Sequence, residues 1–557
     1  MALNLKKCAS LALAAIMSVG VLSGCGSSDK KEAAGNGKSK DTIVYGISTS
    51  PSGVFNPLLT DSIYDDAVCE MVYSSLLKLD NEQNLKPYMA EKYEISPDQK
   101  TITFNIKKDL KWSDGKPLTS KDVAFTFTSL ANKDYQGEHG EDVAKIVGAK
   151  EYKEGKADKV SGIETPDDST VKISLTQPYG PVLTNLGTTG IIPEHIWSKV
   201  PEGKWKESKD LMDKPVGNGP FNLVKFTEGQ DVKFKRNDDF FSGKAKTENL
   251  VLKVVSEDTV AADLKNGDID LADVTNLKKA DVEALKKDGF KIYKHQNTLF
   301  QYMGLNYRNP IFKDKKVREA IMTAIDRQGM VEKLIEGNGE VKNVPMLSSS
   351  WAYPKDAKIN DYKYDTEKAK KLLNEAGYTE KDGVMTNAEG QKLSFKLDVP
   401  TGNSVREQAA QIIQENLKTV GIKVELNKME FPALMEKVVG NHDFDMYMMG
   451  NNLTADPDLT AYWSKDSVSD KKGEMGWNIS GFTTPELDNI LAEGANTTDE
   501  ETRKAAYKKF AEYMNDQIPW IYLFEQEVEI ATSPKLEGFN PSVFRDFAEA
   551  ENWKLAE

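Results

Sequence analysis

Histidine and cysteine are scarce in this chain, four and three among 557 residues. His139, His195, His295 and His442 stand far apart, with no His-Glu-x-x-His and no pair spaced to put two imidazoles on one helix face. That pattern offers no metal centre. A Gly-x-x-x-x-Gly-Lys-Ser/Thr phosphate loop and a Gly-x-Ser-x-Gly nucleophile elbow are also missing, and no cofactor fingerprint appears. Carboxylates are plentiful, but no spacing marks two of them as an acid–base pair. A secreted hydrolase on an α/β scaffold is therefore the weakest functional reading, and no enzyme activity is expected. Excess positive charge is missing too. Lys plus Arg number 73 against 87 Asp plus Glu, a net charge of −14. Phosphate binding needs positive surface, so nucleic acid is not expected as a partner.

Long hydrophobic runs are limited to one place. Lys6 and Lys7 precede an apolar run over residues 9–22. It is shorter than the ~20 residues that span a bilayer and has the layout of a secretory signal. It ends in Leu22-Ser23-Gly24-Cys25. This tetrapeptide resembles the bacterial lipobox, in which the cysteine receives diacylglyceryl and becomes the first mature residue. The alternative is a plain signal peptide with a chance cysteine. The expected plan is a lipoprotein signal peptide over residues 1–24, then lipidated Cys25 and a polar, disordered tether over 25–41. Cys8 leaves with the signal and Cys25 is acylated. Cys69 then stands alone, so no intramolecular disulfide is available. It lies in an amphipathic stretch and is expected in a core.

The remainder reads as a folded α/β protein. Hydrophobic residues are 39% and charged residues 29%, enough for a large core. At roughly 150 residues per domain the length suggests about three or four domains. TIVYGIS (residues 42–48) and TITFNIKKDLKW (101–112) read as strands. Residues 113–117 read as a turn, and Thr119 with Asp122 as a helix start. DTEKAKKLLNEAGY (365–378) is a helix capped by Asp365 with its exit at Gly377. A second helix runs to Val420, exits at Gly421 and is followed by the strand IKVEL. A third carries a capping box from Thr498 to Glu501, with Tyr507, Phe510 and Met514 along one side.

Several blocks together give a resemblance. LKWSDGKPLTSKDVAFTF (110–127), PVGNGPFNLVKF (215–226), ADLKNGDIDL, YMGLNYRNPIFKDKKVREAIMTAIDR, DTEKAKKLLNEAGY, ISGFTTPELDNIL and IPWIYLFEQ occur in order. They resemble the extracytoplasmic solute-binding proteins of ABC importers, family 5, the oligopeptide- and dipeptide-binding group. Asn218 stands where Thr or Ser is usual. Most of these residues read as structural. Trp112, Asp114 and Gly115 set a corner, Gly217 and Gly219 a tight backbone path, and Arg318 and Asp326 are packing or surface charges on one helix.

The resemblance implies an α/β, two-lobed, periplasmic-binding-protein-like type II fold (cluster C) with an extra subdomain in the first lobe. The implied plan is lobe I over 42–80, the extra subdomain over 81–205 and lobe I again over 206–304. Lobe II follows over 305–523, with a C-terminal return to lobe I over 524–557. The chain is expected to cross near residues 305–307 and return near 522–524. Closure of the lobes would bury a short peptide and present it to a membrane permease and its ATPase subunits. The implied working form is a monomer on the outer face of the cell membrane, held there by its lipid. Asp61, Ser62 and Ile63 are expected to face the cleft from lobe I. Gly450, Asn451, Asn452, Leu453 and Thr454 are expected to face it from lobe II, lending main chain to the ligand.

Peptide binders usually place an Asp just past that second segment to meet the ligand's ammonium, where this chain has Leu453 or Thr454. Asp456 and Asp458 are the nearest acids, and the Pro between them makes an Asx-turn or capping role the competing reading. Tyr462 and Trp463 are expected to pack or to line the edge. A nickel chelate, haem, an oligosaccharide or a small amine compound remains the alternative solute on the same scaffold. A peptide-signal receptor is the alternative role.

Overall fold

The computed structural model describes residues 41–469, 471, 473, 474 and 476–556. The signal peptide, Cys25 and nearly all of the tether lie outside the described residues.

Two large sheets organise the chain. The first has seven strands, in the order Lys291–His295, Val528–Thr532, Leu271–Asp273, Thr42–Ile47, Asn249–Val254, Asp231–Arg236 and Phe221–Thr227. Thr42–Ile47 lies near its middle and pairs in parallel with both neighbours. Ile43, Val44 and Tyr45 are all buried, because this sheet is covered on both faces. One face packs against the helices Val260–Asn266 and Lys279–Lys287. The other shares a core with a four-stranded antiparallel sheet formed within residues 90–174. In that smaller sheet Thr101–Ile106 alternates buried and part-exposed residues, as the sequence pattern predicts, although the strand stops at Ile106.

The second large sheet has six strands, in the order Gly339–Val341, Trp520–Gln526, Leu299–Leu305, Met446–Asn452, Ser394–Pro400 and Lys423–Met429. It has its own core, whose buried residues all come from 300–524, with Val543 and Phe544 packed against it. The two cores are the two lobes. The chain passes from the first sheet to the second within residues 296–298 and returns at Glu527. Both passages differ from the 305–307 and 522–524 expected. Asn306 and Tyr307 are instead pinned inside lobe II, Asn306 Nδ2 donating to Phe444 O and Tyr307 N to Ser480 O.

Local signals are met with small shifts. Asp365 caps its helix through Lys368 N, and Gly377 and Gly421 take left-handed φ values of 88° and 78°. The third helix, Glu500–Gln517, is capped by Asp499 rather than Thr498. The Thr498 hydroxyl is turned away to Gln99 Oε1 at 3.0 Å, so the neighbouring carboxylate takes its place. Arg318 and Asp326 do not share a helix, since one helix ends at Ala324 and the next begins at Arg327. Arg318 is buried and donates to Phe312 O, Lys313 O and Gln517 O; Asp326 caps the second helix. A Cβ on Gly217 would lie 2.0 Å from Val72 O, so this backbone approach tolerates no side chain. Cys69 is buried, and burial pushes its thiol pKa well up.

Candidate functional site

The lobe I edge is a fixed loop between Ile47 and the helix Ile63–Val72. Asp65 is fully buried, and its carboxylate accepts from Ser52 N, Gly53 N and Val54 N at 3.0, 2.8 and 2.9 Å. Asn56 Oδ1 accepts from Leu58 N, and Leu58 O accepts from the Tyr135 hydroxyl. Ser62 is the helix N-cap, accepting from Tyr64 N. Asp61 is exposed and does not cap, and Ile63 is 73% exposed on the first turn. An apolar side chain that open, on a loop this well tied, faces something other than its own core.

The lobe II edge is the end of the Met446–Asn452 strand. This strand pairs antiparallel with Leu299–Leu305 along its whole length. Its parallel pairing with Ser394–Pro400 covers only Met446 and Tyr447. From Met448 onward no strand among the described residues pairs with the second edge, the side on which an extended peptide could add by strand-like pairing. A Cβ on Gly450 would lie 2.7 Å from Leu299 Cδ1 and 3.1 Å from Arg406 Nη2, so any side chain there must push these two flexible ones aside. Asn451 is buried with its Nδ2 unpartnered among the described residues. Asn452 and Thr454 are exposed, whereas Leu453 is buried in the lobe II core.

Past Thr454 the chain makes a rigid turn. Thr454 Oγ1 donates to Asp456 O at 2.7 Å. Asp456 is 4% exposed, and Arg503 donates to both its carboxylate oxygens at 2.6 and 2.9 Å. Arg503 also donates to Gly494 O and the Tyr507 hydroxyl, and lies over the rings of Trp351 and Tyr507. Burial alone would lower the guanidinium pKa, but Asp456 outweighs that and raises it. Asp456 Oδ1 accepts from Asp458 N at 3.0 Å, an Asx turn around Pro457. Asp458 Oδ1 accepts from Thr460 N and Oγ1 and so starts the helix Thr460–Trp463. Burial, with Asp456 close by, pushes the Asp458 carboxyl up, against the opposing pull of the Thr460 hydrogen bonds.

These contacts decide what the two acids do here. Asp456 is engaged at both oxygens by Arg503 of its own lobe, whereas Asp458 is held there through Oδ1 and its Oδ2 meets the Tyr179 hydroxyl of the other lobe at 3.5 Å. Trp463 is a core residue against Trp520 at 4.3 Å, which stacks on Tyr302 at 3.9 Å. Tyr462 is half-buried beside Trp477, and burial reinforced by Glu138 raises its phenol.

A groove of about 670 Å³ also lies between the lobes, lined by Thr275, Lys279, Leu299, Gln301, Asn403 and Gln526 among others. None of the residues nominated from sequence lines it. Side chains alternate along a strand. Leu299 and Gln301 face this groove, whereas Phe300 and Tyr302 face the aromatic cluster with Trp520. The groove is therefore on the other face of the crossing sheet. Among the described residues no three His, Cys, Asp or Glu side chains converge as a metal site, and no helix is long and apolar enough to cross a membrane.

Residues 84–473 match the model of the bacterial extracellular solute-binding proteins, family 5. The chain belongs to that family. Family 5 proteins are binding components of transport systems, and they work with permeases. The chain is 32% identical to the oligopeptide-binding protein AppA of Bacillus subtilis, over 99% of both chains. It is 26% identical to the haem-binding protein A of Haemophilus influenzae, over 91% of both. Among solved structures, it is similar to AppA from Bacillus subtilis in complex with a nonapeptide. The TM-score is 0.75 and the identity 31%, over 93% of this chain and 99% of that one. It is also similar to NikZ from Campylobacter jejuni in complex with Ni(L-His), with TM-score 0.75 and 26% identity, over 93% and 100%. The α/β, two-lobed architecture is that of this family.

Sequence reasoning missed Arg503, the partner of Asp456. A signal was present. Arg503 shares the apolar face of its helix with Tyr507, Phe510 and Met514, and an arginine inside such a stripe needs a buried acceptor.

Proposed function

We propose that this protein captures short peptides between its lobes and hands them to the permease of an ABC importer. The observation that carries this is the strand edge from Met448 to Asn452, which pairs with no second strand among the described residues. Such an edge grips peptide main chain regardless of sequence. Gly450 to Thr454 lend main chain from lobe II, and Asp61, Ser62 and Ile63 contact the ligand from the tied loop of lobe I. The full-length likeness to an oligopeptide-binding protein supports the same ligand class. The protein acts as a monomeric binder, without turnover. Acylated Cys25 anchors it to the extracytoplasmic face of the membrane, a reading supported by the Leu-Ser-Gly-Cys sequence.

Protein refolded free of ligand gains thermal stability with short peptides, about 2.7 kcal/mol at a hundred times the dissociation constant. A shift with a metal chelate, haem or sugar but with no peptide would overturn the peptide reading. Engagement of Asp456 by Arg503 favours a second reading, in which the solute has no free amino terminus. Mass spectrometry of the ligand co-purified with native protein separates the two. Cys25→Ala releases the protein from membranes or leaves it unprocessed; unchanged fractionation would refute the anchor.

A further inference from the structure

The subdomain of lobe I touches lobe II at Gln83, whose Nε2 donates to Ser349 Oγ at 2.6 Å, and, more extensively, through Gln99 and residues 177–184. Gly180 N donates to Ala495 O at 2.8 Å, and Gln177 Nε2 to Asn496 Oδ1 at 2.8 Å. Gln99 Oε1 accepts from Thr498 N at 2.7 Å and from the hydroxyls of Thr497 and Thr498 at 3.0 Å each. The Thr184 hydroxyl reaches Asp456 Oδ2 and the Tyr179 hydroxyl reaches Asp458 Oδ2, both at 3.5 Å. A Cβ on Gly180 would lie 2.4 Å from Thr497 O and 2.8 Å from Arg503 Nε, so the approach needs glycine.

Gln99 is the most telling member. It sits between the strands Ala90–Ile95 and Thr101–Ile106 with φ of +58°, a backbone region that L side chains rarely adopt. That strained turn aims one acceptor at three donors on the other lobe. The lobe II side of the contact is also stiff. Asp456 is locked by Arg503, and Thr454 ties the same turn to the end of the ligand-facing strand. Ligand contact at 450–454 and subdomain contact at 456–458 and 494–498 therefore act on one rigid piece.

We infer that Gln99, with Tyr179 and residues 177–184, forms a clasp across the cleft that sets how long a ligand is held without choosing which ligand is held. Gln99 and Tyr179 are positioning residues, since both act through the 456–498 surface of lobe II. The clasp makes no contact with the strand edge, so selection remains with residues 450–454. Because it joins two separate cores, it exists only when the lobes are closed. Breaking it speeds opening. It leaves association, which begins from the open form, nearly unchanged.

The inference rests on ligand capture between the lobes and is tested in two ways. Gln99→Gly removes the acceptor and relieves the left-handed backbone, so the variant folds. With a fluorescein-labelled nonapeptide, its dissociation rate in stopped flow rises about tenfold. The association rate stays within about twofold, and the ranking of a peptide panel is unchanged. Tyr179→Phe gives a smaller rise, in keeping with its longer contact. An unchanged dissociation rate, or an altered ranking, would overturn the clasp. The second measurement needs no ligand. In a Gln83→Cys, Ser349→Cys background, a pair that meets across the lobes outside the clasp, cross-linking by a short bismaleimide reports closure, and Gln99→Gly lowers its rate. If no peptide binds but that rate still falls, the peptide reading fails and the clasp stands. If the rate does not fall, the clasp fails whatever the ligand.

Discussion

Asp65 in lobe I and Asp456 in lobe II hold the two edges of the cleft in different ways. Asp65 is buried with no cationic partner among the described residues and gathers three backbone N–H groups, which fixes the loop from Ser52 to Val54. Asp456 is buried against Arg503 and gathers a guanidinium from a helix that begins at Glu500. The first acid organises its own neighbourhood. The second depends on a residue far along the chain. At both edges the buried acid is scaffold, and what is left facing outward is main chain and a few exposed side chains. An aspartate near a binding cleft therefore does not identify itself as a ligand contact by position.

The comparison can be broken from either side. Arg503→Ala has the largest expected effect, because it strands the Asp456 carboxylate in a buried site, at about 3–5 kcal/mol of stability. Chemical denaturation measures it, and a loss under about 1 kcal/mol would mean water reaches the acid. Asp65→Ala comes next, since three N–H groups lose their acceptor, at about 2–3 kcal/mol on the same assay. A negligible loss there would mean the loop is held by Asn56 and Tyr135 alone. Gly450→Ala should cost about 1 kcal/mol through contact with Leu299 and Arg406. Its effect on peptide affinity should exceed its effect on stability. Asp456→Asn should weaken binding of a free-amine peptide and its N-acetylated form equally in calorimetric titration. A selective loss for the free amine would return this acid to the ligand. Asp61→Asn is the smallest, within about 0.5 kcal/mol on stability, and it sharpens the contrast only if affinity changes while stability does not.

Much of the architecture was legible because it is local. The Asp365 and Thr119 caps, the Gly377 and Gly421 exits and the buried alternation of Thr101–Ile106 follow from neighbouring residues. The Asx turn at Asp456-Pro457-Asp458 was equally readable from a Pro between two acids. What escaped was long-range. Thr498 lost its capping role because Gln99, from the other lobe, claims its hydroxyl. The passages between lobes were misplaced because the recognisable residues at 305–307 are fixed by packing, while the connecting residues 296–298 carry no such pattern.

The placement of Val528–Thr532 carries a consequence for how the chain acquires its shape. All six strands of the second sheet come from one continuous stretch, Leu299 to Gln526. That lobe can condense as soon as the stretch is available. The first sheet cannot, because Val528–Thr532 lies between Leu271–Asp273 and Lys291–His295 and is among the last strands to emerge from synthesis. Until it arrives, one strand has no partner and another shows a bare edge, the kind of surface that recruits foreign chains. Closing a sheet whose members lie nearly 500 residues apart (Thr42 to Thr532) also makes folding slow. Loss of the last 30 residues would leave every strand of lobe II in place, stripped of Val543 and Phe544 at its core's edge, and lobe I sticky.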